Sequence, residues 1–250
     1  MDQWDESAAG ARPAGGGPAA LAFAWAGAVL FVLSLAVFLY LYAAAWGADV
    51  HGDPWRPAVV DVALFTLFAL HHSLLARTGA KRLVTRVVPP WLERSVFTWV
   101  ASGLFLLACA GWRAVPGVLY SLPGAWRILS YAAQVAGLIL TIKGTSALDP
   151  LDLAGVRPVV SARRKERPRH IPLKTDGVFR IVRHPLYFGW VLLVFGAPRM
   201  TGTRFVFAVV STLYLAIAVP FEERSLADVF GDAYAEYRRR TRWRIVPGIW

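Results

Sequence analysis

Cysteine is nearly absent from this chain of 250 residues, and several common catalytic motifs are missing. The single cysteine, Cys109, excludes an intramolecular disulfide framework and a paired-cysteine metal site. The sequence contains neither a glycine-rich phosphate loop nor a Gly-x-Ser-x-Gly nucleophile elbow. Among the histidines only His71 and His72 are close together, and adjacent helix positions point about 100° apart, which makes them poor joint metal ligands. We therefore predict no metal.

Acidic residues are also few, and their scarcity leaves a strongly basic protein. The chain has 27 Lys and Arg against 16 Asp and Glu, a formal net charge of +11, with 56% hydrophobic residues and a mean hydropathy of +0.47. Such a charge could indicate nucleic acid, but the basic residues lie in loops beside apolar runs. That arrangement is typical of an integral membrane protein whose loops contact anionic lipids. We predict a membrane partner and no nucleic acid.

The apolar runs predict an all-α, polytopic helix bundle with five to six spans. Each run approaches the length needed to cross a hydrocarbon core of about 30 Å. Residues 1–18, rich in Gly, Ala and Pro and without a basic signal region, are expected to be a disordered tail. Residues 19–148 form a four-helix region, and residues 149–250 a cofactor-binding region with a helical hairpin. The predicted spans are about 19–46, 57–76, 95–112 and 128–148, followed by a hairpin over 186–221 that Pro198, Arg199 and Gly202 interrupt.

Loop charge predicts the orientation of these spans. The loops around residues 77–94 and 149–183 are strongly basic, so the positive-inside rule places them and both termini in the cytoplasm. Polar residues then gather at the cytoplasmic ends of the spans, where ionisable groups that face the bundle are functional candidates. The absence of organelle targeting features favours a bacterial inner membrane, with the active site on the cytoplasmic side.

The Arg183-His184-Pro185 element offers a cationic site. Pro185 biases His184 away from helical geometry and can itself begin a helix, whose unpaired N–H groups attract anions. Arg183 could bind a carboxylate, and Tyr187 could offer its ring to a flat base or a cation. A basic helix start anchored to lipid headgroups explains these residues equally well.

Glu222 and Glu223 form the acidic counterpart. Adjacent carboxylates after an apolar run repel each other unless a cation or donor lies between them. From Glu223 an apolar stripe continues at helical spacing through Leu226, Phe230, Tyr234 and Tyr237. An interfacial amphipathic helix explains that stripe but not the paired glutamates. Together the two elements suit a cofactor that carries an amino acid, such as S-adenosylmethionine.

The same residues resemble the isoprenylcysteine carboxyl methyltransferase superfamily. The resemblance covers residues 177–247 and implies S-adenosylmethionine binding at the cytosolic membrane face. The predicted cofactor-binding residues are Arg183, His184, Pro185, Tyr187, Gly189, Glu222, Glu223, Leu226 and Tyr234. The matching sequence is Gly177-Val-Phe-Arg180-Ile-Val-Arg183-His184-Pro185-Leu-Tyr187-Phe-Gly189, then Pro198, Glu222-Glu223-Arg-Ser-Leu226, Phe230-Gly231-Asp-Ala-Tyr234-Ala-Glu-Tyr237 and Pro247.

The N-terminal half resembles one group within that superfamily, the membrane thiol methyltransferases that convert methanethiol to dimethyl sulfide. His71 stands where that group is expected to have Gln. Part of the pattern is shared with membrane proteins linked to nitrite and nitric oxide reduction. The matching stretches are Leu70-His71-His72-Ser73-Leu-Leu-Ala76-Arg77, Lys81-Arg82, Pro89-Pro90-Trp91-Leu-Glu93-Arg94-Ser95 and Asp152-Leu153-Ala-Gly155-Val-Arg157.

The resemblance implies transfer of a methyl group to a nucleophile at the membrane boundary. A thiol must first lose its proton, so the pocket needs a base or a cation, and His72 and Arg94 are the catalytic candidates. Without the resemblance, His72 would be interpreted as a helix-end histidine bonded to a carbonyl. Two alternatives remain: methylation of a lipid-like or isoprenylcysteine carboxylate acceptor, and a non-catalytic accessory protein of nitrite and nitric oxide metabolism. The sequence leaves the oligomeric state open.

Overall fold

The structure, a computed structural model, describes residues 16–75, 78–166 and 172–250. The predicted disordered tail lies outside these residues except for its last three positions. Parts of both basic loops, residues 76–77 and 167–171, also lie outside them.

Helices account for almost all of the secondary structure in the described part of the chain. The helices are α1 (Pro18–Ala43), α2 (Trp55–Leu75), α3 (Thr78–Val84), α4 (Pro90–Gly111), α5 (Gly124–Ala147), α6 (Pro150–Leu153), α7 (Val156–Arg164), α8 (Pro185–Phe195), α9 (Gly202–Phe230) and α10 (Asp232–Arg240). The strands are β1 (Val118–Ser121) and β2 (Arg199–Thr201), and short 3₁₀ turns lie at Ala45–Gly47 and Gly177–Arg180. Five helices, α1, α2, α4, α5 and α9, are long and apolar enough to cross a membrane. The prediction of an all-α, polytopic bundle is confirmed.

The predicted hairpin has two unequal arms. Helix α9 has 29 residues, whereas α8 has 11, about 16 Å of helix against a hydrocarbon core of about 30 Å. Beyond Phe195 the chain continues in an irregular segment and in β2, which pairs antiparallel with β1. The sequence did not predict this two-stranded sheet.

Side chains from other elements bind the last carbonyls of α8. The Tyr42 hydroxyl donates to the carbonyl of Val194, Tyr120 donates to Phe195 at 3.0 Å, and Gln134 Nε2 donates to Leu193 at 3.0 Å. In a bilayer core, backbone groups need such partners because water is absent. These bonds allow a helix to end well short of the opposite surface.

Helix α8 lies against α5 at very short range. A Cβ atom added at Gly189 would lie 2.6 Å from the carbonyl oxygen of Gly137 and 2.6 Å from Thr141 Oγ1. Only glycine allows the two backbones to approach so closely. The close packing fixes α8, and with it the residues at its start.

An aromatic core joins α8 to the long helices. Phe38 of α1 packs against both Trp190 and Phe207, with ring centroids 5.1 and 4.9 Å away. At the start of α9 the buried Arg204 donates to the carbonyls of Tyr42 and Ala43 at the end of α1, both at 2.9 Å. These contacts hold α9 and α1 in register, so that residues at the far end of α9 meet the start of α8.

Candidate active site

Pro185 is the first residue of α8, and His184 immediately before it has non-helical φ and ψ angles of −121° and 68°. Both features agree with the prediction from sequence. The backbone N–H groups of Tyr187 and Phe188 bond to the His184 carbonyl at 3.0 and 3.1 Å. Of the N–H groups at this helix start, that of Tyr187 is therefore already bonded within the helix.

Glu223 lies at the centre of a buried cationic cluster. Its side chain is 5% exposed, and Arg183 Nε donates to it at 2.6 Å. Arg244 Nε and His184 Nε2 lie 3.3 and 3.5 Å from its two oxygens. Arg183 Nη1 also donates to the carbonyls of Thr241 and Arg242, at 2.8 and 2.9 Å. Arg183, predicted to bind the cofactor carboxylate, thus directs these two nitrogens to groups within the protein.

The sequence analysis did not single out Arg244. The segment after α10 folds back on the start of α8, where the N–H groups of Arg183 and His184 donate to the carbonyls of Trp243 and Arg244 at 2.9 and 2.8 Å. The Arg244 guanidinium lies 5.1 Å from the centroid of the Trp250 ring. In the sequence, the only indication of a role for Arg244 was its position among several arginines. Such a run fits contact with lipid headgroups equally well.

Glu222 has a more open setting than its neighbour. Its side chain is 44% exposed, and it accepts a hydrogen bond from the Tyr187 hydroxyl. His184 Nδ1 lies 3.5 Å from its second oxygen. The rings of His184 and Tyr187 stack with centroids 5.4 Å apart. An accessible carboxylate beside two stacked rings can bind an ammonium group.

His184 therefore lies between two carboxylates. Burial opposes the charged form of its imidazole, but the contacts with Glu222 and Glu223 outweigh burial, so the pKa of His184 is raised above its ordinary value. A protonated His184 reduces the repulsion between the glutamates.

One prediction about the C-terminal stripe is wrong. Helix α9 carries the glutamates and continues beyond them to Phe230. The stripe is then interrupted at Gly231, where φ is +51°, and α10 begins afresh at Asp232. A left-handed φ is favourable for glycine, and the turn directs α10 back toward the site.

The turn buries the tyrosines of α10. Tyr234 and Tyr237 are 1% and 5% exposed, and the Tyr237 hydroxyl donates to the Phe179 carbonyl at 2.8 Å. Burial, with the negative charge of Glu223, raises the pKa of Tyr234 to about 12. These residues pack around the glutamate cluster. Leu226, in α9, is half-buried, and Gly189 faces α5 as described above.

A second group of residues surrounds His72, near the end of α2. The His72 ring lies 5.3 Å from Phe97, 5.6 Å from Phe68 and 6.5 Å from Tyr214, measured between centroids. Its side chain is exposed. The Arg94 guanidinium lies 5.4 Å from the same Phe97 ring, so the structure brings the two predicted catalytic residues to one aromatic side chain.

Residues beside His72 complete this group. The Tyr214 hydroxyl and Ser73 Oγ form a 2.9 Å hydrogen bond that joins α9 to α2. The His71 ring stacks on Phe97 with centroids 5.7 Å apart. Tyr214 and Phe97 were missed because aromatic residues in apolar helices carry no distinctive sequence signal.

Arg94 is held by the segment after α5. Ser95 Oγ, next to Arg94 on α4, donates to the Gly155 carbonyl at 2.6 Å. Gly155 has a φ of +78°, and an added Cβ would lie 2.7 Å from the Ser95 backbone. Nearby, Asp149 pairs with Arg157 and caps α6. The Asp152 to Arg157 stretch thus fixes the start of α4, where the Arg94 guanidinium lies 5.4 Å from the Phe97 ring centroid.

Comparison with known proteins identifies related sequences that include this region. The family model for phospholipid methyltransferases matches residues 158–233, which contain most of the Glu222 and Glu223 cluster. No solved structure matches the chain.

Several relatives are similar over most of the chain. A methanethiol S-methyltransferase from Mycobacterium tuberculosis is 36% identical over 74% of this chain and 76% of its own length. Another, from Crocosphaera subtropica, is 32% identical over 73% of this chain and 72% of its own length. Protein-S-isoprenylcysteine O-methyltransferase B from Arabidopsis thaliana is 32% identical over 42% of this chain and 54% of its own length. The chain therefore belongs to the isoprenylcysteine carboxyl methyltransferase superfamily of membrane methyltransferases, in the group that includes the methanethiol S-methyltransferases.

Proposed function

We propose that this enzyme transfers a methyl group from S-adenosylmethionine to methanethiol, giving dimethyl sulfide, at the cytoplasmic face of a bacterial inner membrane. The observation that carries the proposal is the Phe97 ring, whose centroid lies 5.3 Å from that of His72 and 5.4 Å from the Arg94 guanidinium carbon. A histidine and an arginine that can deprotonate a thiol and stabilise the thiolate therefore lie beside one aromatic ring.

The site residues fit S-adenosylmethionine. Glu222 is an accessible carboxylate that suits the cofactor ammonium, and the stacked His184 and Tyr187 hold that carboxylate in place. Glu223 is surrounded by Arg183, Arg244 and His184. We therefore propose that it stabilises the folded site and does not bind the cofactor. When bound, the cofactor supplies a sulfonium methyl whose old C–S bond breaks as the new one forms, with the electron pair leaving on the departing thioether.

The chain itself prepares the acceptor. His72 accepts the proton of the thiol S–H group and later releases it to water, while Arg94 favours the thiolate through its positive charge. Holding the thiolate in line with the methyl group lowers the barrier further, because proximity alone can supply several kcal/mol. The apolar product can leave through the lipid.

The alternatives have less support. The isoprenylcysteine methyltransferases match a smaller share of the chain than the methanethiol enzymes do. An accessory protein without activity has no need for an accessible Glu222 or for a histidine and an arginine beside one aromatic ring.

The test is the release of dimethyl sulfide from membranes supplied with methanethiol and S-adenosylmethionine. We expect the product from the wild type, and at least a hundredfold less, roughly the contribution of general acid–base catalysis, from His72→Gln. Glu222→Gln should lose activity that high cofactor concentration restores in part. Glu236→Gln is the matched control, since Glu236 lies on α10 and pairs with Arg239 and Arg240 at the surface.

Wild-type membranes that bind the cofactor but form no dimethyl sulfide would contradict the methanethiol assignment. Activity with a prenylated cysteine under the same conditions would favour the lipid-like acceptor instead.

A further inference from the structure

Phe97 lies beside both groups that the proposed reaction requires on the acceptor side. Its ring centroid is 5.3 Å from that of His72 and 5.4 Å from the Arg94 guanidinium carbon. The residue is 8% exposed and is one turn beyond Arg94 on α4. Its ring therefore forms a wall shared by the proposed base and the proposed cation.

An unpaired polar atom of Arg94 indicates that a ligand binds beside this wall. Its Nε atom is buried and has no hydrogen-bond partner among the described residues. A buried N–H donor without an acceptor is unfavourable, so such groups usually meet a partner atom. A thiolate sulfur would supply the acceptor and a negative charge.

The rest of the wall is also aromatic. Besides Phe97, the rings of Phe68 and Tyr214 surround His72 with centroids no more than 6.5 Å away. His72 itself is exposed, but Phe97 beside it is only 8% exposed, so an alkyl chain that extends past the imidazole on this side meets a packed ring. Protein interiors rarely expand to accept extra methylene groups. The site therefore suits an acceptor that is apolar, small and able to become an anion.

We propose that Phe97 is the specificity-determining residue of this enzyme, the wall that restricts the acceptor to short-chain thiols beside His72 and Arg94. The inference rests on the proposed thiol methylation and adds which residue sets the size limit. Phe97 is preferred to Phe68 because it also contacts the Arg94 guanidinium.

The test compares methylation of methanethiol, ethanethiol and propanethiol by membranes that contain the wild type, Phe97→Leu or Phe97→Ala. We expect the wild type to prefer methanethiol, and both variants to raise the propanethiol to methanethiol ratio of kcat/KM by at least about tenfold, since one methylene in a tight pocket changes kcat/KM by about 10-fold to 200-fold. Phe97→Trp should shift the ratio the opposite way.

Phe105→Leu is the matched control. Phe105 lies on the same helix and is 6% exposed, but it packs against Phe38 and Phe68. Its replacement makes a comparable cavity but leaves the Phe97 ring in place beside His72 and Arg94, so the thiol preference should stay at the wild-type value.

Three results would overturn the inference while thiol methylation stands. The wild type could methylate propanethiol as efficiently as methanethiol. An active Phe97 variant could keep the wild-type ratio of kcat/KM, or Phe105→Leu could change that ratio as much as the Phe97 variants do. If no Phe97 variant accumulates in the membrane, the preference of the wild type among the three thiols still tests the proposed size limit. A wild type that methylates none of the thiols would instead overturn the proposed function and the inference with it.

Discussion

The adjacent glutamates Glu222 and Glu223 differ because helix geometry points them in different directions. One side chain is 44% exposed and the other 5%. We expect Glu222→Gln to raise KM for S-adenosylmethionine about tenfold to a hundredfold, the usual effect of losing a charged hydrogen bond, with little change in stability. Glu223→Gln should lower the free energy of unfolding by about 3–5 kcal/mol, because Arg183 and Arg244 would lose a buried partner.

Cofactor kinetics and thermal unfolding of both variants in detergent check this prediction. The opposite pattern, with Glu222→Gln unstable and Glu223→Gln defective only in cofactor binding, would contradict it.

His184 predicts how stability depends on pH. Since its pKa is raised in the folded protein, protonation favours folding. This contribution is fully present below about pH 6.5, the ordinary pKa of histidine, and is lost as pH rises through the pKa of the folded state. The difference in Tm between the wild type and His184→Gln should therefore shrink as pH rises from 6 upward. A constant difference across a pH series would show that His184 acts by packing alone.

Helix α8 is short, so its stability and position depend mainly on its contact with α5. Gly189→Ala would place a methyl group 2.6 Å from the Gly137 carbonyl oxygen, and such overpacking costs about 1–3 kcal/mol. We expect a lower Tm and weaker cofactor binding, because α8 carries Tyr187 and begins directly after His184. Gly103→Ala is the control, since an added Cβ there meets no atom within 4 Å. Equal Tm values for the two variants would contradict this account of the α5–α8 contact.

The orientation of the whole molecule is a consequence of where its charges lie. Both loops predicted to be cytoplasmic are basic, and the positive-inside rule then places the connection between α1 and α2 outside. In a Cys109→Ala background, a membrane-impermeant maleimide should label His51→Cys in intact cells, and should label Arg86→Cys only after lysis. Both positions are exposed in the structure. Labelling in the reverse order would invert the proposed topology.

Sequence alone determined the membrane class, the approximate spans and every residue of the glutamate cluster except Arg244. Hydrophobic length and loop charge are local properties, because the bilayer imposes them on each segment separately. The Arg183-His184-Pro185 and Glu222-Glu223 elements were equally visible, since each is a short contiguous pattern.

Tertiary structure decided which of these residues lie together. Glu223 is separated from Arg183 by 40 positions and Arg244 follows still later, so no local pattern indicates that they form one cluster around a carboxylate. The early end of α8 depends on side chains from other elements that bind its carbonyls. Phe97 acquires its place beside His72 and Arg94 only because α2 and α4 pack together. Sequence specifies local preference, whereas burial and charge pairing depend on contacts between distant segments.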